Sequence, residues 1–133
     1  MQSQKCPCQS SQKDAQNYQN CCGRYHKTKA APTAETLMRS RYTAYAMGNS
    51  QYLYDTWHPT TRPTLQSLTE LGAQNLIGLQ IISTKAGGTN DKKGMVEFIV
   101  HRYSPSLMGE IEQHQEKSLF ARIEGKWVYI DAV

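Results

Sequence analysis

All four cysteines of this 133-residue chain fall within its first 22 residues, as Cys6-Pro7-Cys8 and Cys21-Cys22. That crowding constrains the fold more than any other feature. A Cys-x-Cys unit in an extended segment sends both thiols to one side, and Pro7 stiffens the link between them. The second pair can then close a tetrahedron. Structural Zn²⁺ is satisfied by four thiolates, and a polar segment with little apolar material must draw its folding free energy from somewhere else, here the metal. Cys6, Cys8, Cys21 and Cys22 are therefore expected to bind one Zn²⁺.

Other uses of the thiols compete with this reading. Disulfides need an oxidising compartment, yet residues 1–20 hold no aliphatic run that would serve as a signal peptide, so a secreted disulfide protein is disfavoured. A vicinal Cys21-Cys22 disulfide or a redox pair remains open, because Lys5, Arg24, Lys27 and Lys29 would lower a thiol pKa, and unused free thiols are the blandest alternative. His26 is near enough in sequence to replace one cysteine of the adjacent pair, but it reads as an exposed loop histidine.

The length suits one compact domain with a short appendage. Mean hydropathy is −0.65, and no window approaches the roughly 20 apolar residues needed to cross a bilayer. A cytoplasmic protein without membrane contact is expected. Fifteen basic against eleven acidic residues give +4; a four-thiolate zinc centre contributes −2 and brings the total to about +2. So small an excess, with no basic stripe between the aromatic residues, disfavours nucleic acid as a partner.

The chain changes character near residue 30. Residues 1–29 are rich in Gln, Ser, Asn and Lys, whereas Leu37, Met38, Tyr42, Tyr45 and Ala46 recur at helical intervals between Thr33, an N-cap, and Gly48, a stop. Asn49 caps a second short helix carrying Tyr52, Leu53 and Trp57, ended by His58-Pro59, and a third runs over 65–71. Beyond Gly72 the period shifts to two, predicting strands over 75–84, 95–103, 116–123 and 126–131, the last two joined by a tight Glu124-Gly125 turn. Helices first and consecutive strands afterwards imply an α+β domain over 31–133, a curved antiparallel sheet around the leading helices, preceded by the metal segment over 1–30.

These motifs carry a resemblance. Cys6-Pro7-Cys8, Cys21-Cys22-Gly23 and Tyr25-His26, then Pro32-Thr33-Ala34-Glu35 and the run from Leu37 to Ala46, resemble the bacterial YchJ-like proteins. Thr56-Trp57-His58-Pro59-Thr60-Thr61-Arg62, Gly94-Met95-Val96-Glu97-Phe98 and Gly125-Lys126-Trp127-Val128-Tyr129-Ile130-Asp131 extend it over nearly the whole chain. The resemblance implies an N-terminal zinc motif similar to the SecA C-terminal (SEC-C) motif and a nuclear transport factor 2-like (NTF2-like), cystatin-like cone. It carries no assigned reaction. The SEC-C pattern has about eight residues between its cysteine pairs and opens that loop with Gly-Ser-Gly-Lys. Here twelve residues, 9–20, intervene without either glycine, and Lys13 is only a loose counterpart of the lysine. Loop closure tolerates the added length, but recognition by that loop does not carry over.

A cone of this kind commonly keeps a hollow. Asp55, His58, Arg62, Glu97, His101, Tyr129 and Asp131 are the polar candidates for lining it, with His58 the leading candidate for proton transfer. Of Arg39 and Arg41, on different helix faces, one is expected to turn inward and pair with Glu97 or Asp131. Two functions of different class follow. One is a zinc-stabilised binding or adaptor module that engages a protein partner through its zinc segment. The other is a ligand binder or an isomerase-, dehydratase- or hydrolase-like enzyme using the hollow. A homo-oligomer is compatible with either.

Overall fold

The computed structural model describes residues 5–9, 14–104 and 109–133. Lys13 and the centre of the expected loop at 104–109 lie outside the described residues. Two short 3-10 turns, Pro7–Gln9 and Tyr18–Asn20, lead into helices α1 (Cys22–Thr28), α2 (Ala34–Met47), α3 (Ser50–Asp55) and α4 (Leu65–Leu71). Strands β1 (Leu76–Ala86), β2 (Lys93–Tyr103), β3 (Ile111–Ile123) and β4 (Lys126–Ala132) follow. They form an antiparallel meander in the order β1-β2-β3-β4, so the α+β architecture expected of the chain is the one it adopts.

The helix signals act locally. Thr33 Oγ1 accepts a hydrogen bond from Thr36 N at 3.1 Å and caps α2, Glu35 sits in the favourable first turn, and Gly48 ends the helix in the left-handed region. Asn49 Oδ1 accepts from Tyr52 N at 3.2 Å to start α3. This helix stops at Asp55 instead of reaching Trp57, because β4 captures the backbone beyond it: Tyr129 N donates to Thr56 O at 2.8 Å and His58 N to Tyr129 O at 2.7 Å. A lateral strand-like bridge has outcompeted another helical turn.

Even-numbered residues of β2 and β3 face the helices. Val96, Phe98, Ser118 and Phe120 are buried, whereas Leu119 on the opposite face is 38% exposed. A bulge in β4 between the Leu119↔Asp131 and Phe120↔Tyr129 pairs, at Ile130, breaks the alternation. Tyr129 therefore points inward with Phe120, and Asp131 is sent to the outer face with Leu119.

The entry to α2 is clamped to one end of the sheet. Ala34 N donates to Gly87 O at 2.9 Å, Trp127 Nε1 donates to Pro32 O at 3.1 Å, and Arg122 donates to the carbonyls of Asp91 and Thr89, each at 2.7 Å, and of Gly88 at 3.2 Å. The helix that carries most of the core is thus held at a set angle over β1, β2 and β4. Arg41 turns inward from α2 and is buried, but it meets neither Glu97 nor Asp131. Its Nη1 donates to Leu53 O and Thr56 Oγ1, both at 2.9 Å. The expected ion pair fails because both acids sit on the outer face, Glu97 by alternation and Asp131 by the bulge.

Candidate functional site: metal centre and cavity

The N-terminal segment does not stand apart from the domain. Cys6, Cys8 and Cys22 are buried in the same cluster as Leu37, Tyr52 and Phe120. The Cys6-Pro7-Cys8 unit is not extended as the spacing suggested. Gln9 N donates to Cys6 O at 3.1 Å and closes a 3-10 turn, and that turn makes the two thiols converge. The loop between the cysteine pairs is pinched shut by a Lys5↔Asn17 bridge and by Cys6 N donating to Gln16 O at 2.8 Å. That closure brings the two ends of the loop together whatever its length, so the ligands stay together.

The four Sγ atoms lie within 4.8 Å of one another, with Cys8 Sγ 3.5 Å from Cys21 Sγ and Cys21 Sγ 4.0 Å from Cys22 Sγ. Metal–sulfur bonds of about 2.3 Å place the sulfurs of a tetrahedral site about 3.8 Å apart, so this thiol set fits one such ion. All four cysteines are free thiols. Hydrogen bonds from Cys22 and Cys8 hold the Cys6 thiol far below its ordinary pKa, while the bonds to Cys6 and Cys8, and then burial, push Cys22 far up. By itself the cluster cannot carry four negative charges in so small a buried volume; a divalent cation removes that restriction.

Two donors already address the sulfurs. Gln9 Nε2 donates to Cys21 Sγ at 3.0 Å and Thr43 Oγ1 to Cys22 Sγ at 3.2 Å, and Thr43 Oγ1 is also 3.6 Å from Cys6 Sγ. Thr43 is fully buried in α2, so this contact ties the cluster to the domain's main helix. Supporting hydrogen bonds of this kind commonly change metal affinity by about 10- to 100-fold. Thr43→Val, which keeps the shape and removes the hydroxyl, is accordingly expected to weaken metal binding about tenfold in a chelator competition titration.

His26 is neither a ligand nor the exposed loop residue expected of it. It lies half-buried in α1, where Nε2 donates to Ser40 O at 2.7 Å and Nδ1 accepts from Tyr18 Oη at 2.7 Å, with its ring 4.5 Å from that of Tyr52. This pattern requires the neutral ring and leaves no nitrogen for a metal. Burial lowers its pKa below the ordinary value of 6.5, with the Ser40 carbonyl opposing. The folded chain therefore binds this proton less readily than the unfolded chain, and stability is lost as the pH falls through about 6.5. Urea midpoints measured from pH 8 to pH 5 are expected to fall, and to fall less steeply in His26→Gln.

A second site lies between the inner sheet face and the helices. It is a cavity of 310 Å³ with an apolar wall that includes Met38, Leu76, Phe98, Val100 and Phe120. Its polar lining includes Arg41, Tyr45, Arg102, His114, Glu116, Ser118 and Tyr129. Ser118 Oγ donates to Glu116 Oε2 at 2.6 Å, and His114 Nε2 lies 3.2 Å from Glu116 Oε1. The Arg41 guanidinium lies 4.7 Å from the ring centroids of both Trp57 and Tyr129, which meet edge to face 5.1 Å apart. Burial, and then the Glu116 charge, push the Tyr129 hydroxyl up to about 12, so it stays protonated and can donate.

Of the seven polar candidates read from the sequence, Tyr129 lines this cavity. Asp55 pairs with Lys29 Nζ at 2.5 Å and accepts from Gln51. His58 accepts at Nδ1 from the Thr60 backbone, and Arg62 stacks 4.0 Å from the Tyr54 ring centroid. Glu97 accepts from Ser83 and Gln115 on the outer face. His101 borders a shallow recess beside Ile77 and Gly78, and Asp131 Oδ1 accepts from Ala132 N. None of these six lines the cavity, and the structure does not bring the seven together. Its inward polar residues on β3, His114, Glu116 and Ser118, follow the two-residue period backward from Phe120, a signal hidden by starting that strand at 116.

Among the described residues no helix is long and apolar enough to cross a membrane. Residues 33–132 match the family described as "YchJ, middle NTF2-like domain". A UPF0225 protein of Chromobacterium violaceum is 42% identical over 131 residues, covering 96% of this chain and 91% of its own length. A UPF0225 protein of Streptomyces coelicolor is 42% identical over 127 residues, covering 95% and 92%. Two solved SEC-C motif containing proteins share the fold. One from Rhodopseudomonas palustris has a TM-score of 0.79 at 26% identity, over 98% of each chain. One from Psychrobacter arcticus has a TM-score of 0.81 at 25% identity, over 96% of this chain and 81% of the other. With a cysteine cluster suited to metal packed against an NTF2-like domain, and with relatives matched over more than nine-tenths of their own length, the chain belongs to the YchJ-like UPF0225 family.

Proposed function

We propose that this protein is a zinc-built binding module, in which Cys6, Cys8, Cys21 and Cys22 hold one structural Zn²⁺. The observation that carries this reading is the convergence of four free thiols within 4.8 Å, three of them buried. Four sulfurs complete a tetrahedron and leave no position for substrate or activated water, so the metal supports structure instead of chemistry. Thiols that must stay reduced suit the cytoplasm. The partner surface in this reading is the exposed side of α1, where Arg24 and Lys27 stand beside the thiols, and the partner is a protein offering acidic groups. Capture of an acidic peptide by the zinc-loaded protein is expected to weaken in Arg24→Glu/Lys27→Glu and to disappear on chelation. Equal capture by all three states would overturn the partner assignment, and an absence of zinc from protein purified without added metal would overturn the metal.

The cavity supports a second reading, a binder of small organic molecules. An interior filled by side chains would oppose it; a recess of 310 Å³ with convergent polar groups favours it. Glu116, bridged to His114 and Ser118, is the group in that recess suited to moving a proton if the bound molecule is also transformed.

A further inference from the structure

The most unusual charge in the molecule is Arg41. Buried charges are ordinarily paired, yet among the described residues no carboxylate lies within ion-pairing distance of this guanidinium. What surrounds it instead is neutral: Leu53 O, Thr56 Oγ1, the Tyr45 hydroxyl and the faces of Trp57 and Tyr129. Thr56 Oγ1 itself donates to Tyr52 O at 2.7 Å, so it is free to accept from Arg41 and the arrangement is settled on that side. Burial works against the Arg41 charge, and the surrounding tyrosines oppose that pressure.

The donor count identifies what is left over. A guanidinium has five N–H groups in one plane. The two on Nη1 meet Leu53 O and Thr56 Oγ1. Among the described residues Nε and Nη2 make no such bond, and their donors lie in the guanidinium plane on a residue that lines the cavity. Two in-plane donors on one guanidinium match the two oxygens of a carboxylate. Beside them, Tyr129 keeps its proton and can donate to the same group.

We propose that the cavity binds a small organic monoanion, a carboxylic acid whose carboxylate pairs with Arg41 and whose short apolar body packs against Met38, Phe98, Val100 and Phe120. The inference rests on the cavity reading above and names its ligand class. A single cation at the inner end suits one negative charge. Glu116, which lines the same cavity, is negative and disfavours a second. A volume of 310 Å³ stands at the bottom of the range of about 300–1,000 Å³ for small-molecule sites, so the body is short. Arg102 is not the anchor, because it is half-exposed and already pairs with Glu112 at 3.2 Å.

The test is an NMR and calorimetric titration of the full-length, metal-loaded chain with phenylacetate and with phenylacetamide, which has nearly the same shape and no charge. Phenylacetate is expected to bind at least about tenfold more tightly than the amide, since leaving a buried cation unpaired is costly, and to shift signals of Tyr129, Phe98 and Phe120. Glu116→Gln is expected to tighten phenylacetate several-fold by removing a like charge. Arg41→Lys, which keeps the charge and loses the fork, is expected to weaken it about tenfold, while Arg102→Gln leaves it within about twofold. Equal affinity for acid and amide in the wild type, or loss of the preference in Arg102→Gln but not in Arg41→Lys, overturns the assignment and leaves the cavity reading standing. Failure of phenylacetate, hexanoate and both their amides to bind at millimolar concentration overturns the cavity reading itself.

Discussion

Chelating the proposed zinc, or replacing Cys22 by Ser, is expected to lower the melting temperature by about 15 °C and to release the segment before α2 from the domain. The size of the effect follows from where the cluster sits. Structural zinc is worth about 10–16 kcal/mol in peptides that have nothing else to fold them. Here the NTF2-like domain has its own core, so a smaller part of that energy, more than about 4 kcal/mol, is expected to appear as lost stability. At roughly 3–5 °C per kcal/mol for a chain of this length, that gives the stated shift. Cys6, Cys8 and Cys22 belong to the main hydrophobic cluster, so unfastening them also uncovers part of α2. Differential scanning calorimetry before and after chelation, with zinc per chain from elemental analysis, checks the expectation. A melting temperature unmoved by complete metal removal would mean that packing alone holds the segment and that the thiols have another use.

The second large effect is expected at a position with no polar chemistry. Gly94 opens β2 opposite Ala86 at the end of the β1–β2 pair, where the chain passes close to Gly87 and the start of α2. A Cβ on Gly94 would lie 2.5 Å from Gly87 Cα, 2.9 Å from Gly87 N and 3.2 Å from Ala34 Cβ. The first two of these are backbone atoms and cannot swing aside. Gly94→Ala is therefore expected to cost about 3 kcal/mol, the upper part of the usual overpacking range, because it must separate the hairpin from the helix that Gly87 O anchors. Gly88→Ala is the matched control. Its Cβ would meet only the Asp91 carboxylate, at 3.3 Å, the end of a side chain that can shift by the few tenths of an ångström needed, so urea melts should show a much smaller loss. Similar losses at both positions would refute the close-approach explanation.

The cysteine cluster and the helix boundaries were legible because their causes are local. Thr33, Asn49 and Gly48 act on backbone groups within four residues, and a Cys-x-Cys unit needs only one turn to bring its thiols together. The tight Glu124-Gly125 hairpin was legible for the same reason: both residues have positive φ, 51° and 79°, as a two-residue turn of this hand requires. The helix over Cys22–Thr28 was not. Its residues have no apolar period, and it is held by Tyr18, Ser40 and Tyr52, which come from three other elements. The exposed status assigned to His26 failed with it.

The cavity was the least legible part. Its polar wall depends on which face of each strand turns inward, and that choice propagates along a strand until a bulge reverses it. Placing the start of β3 five residues late hid His114 and shortened the pattern that marks Glu116 and Ser118. The bulge at Ile130 then separated Tyr129 from Asp131, two residues that simple alternation would put on one face.

What this sequence determined by itself is its class: four clustered thiols of a kind compatible with a metal, helices bounded by their own caps, and four strands joined in order. Only the tertiary structure decided that the cysteine cluster lies within the core, with Thr43 of α2 donating to it. Only the tertiary structure decided that Arg41 lines a cavity with no described carboxylate within ion-pairing distance of it. The division has a physical reason. Caps, turns and two-residue periods are set by energies between near neighbours in the chain, whereas burial and convergence depend on which distant surfaces meet, and on the register and bulges that fix how they meet.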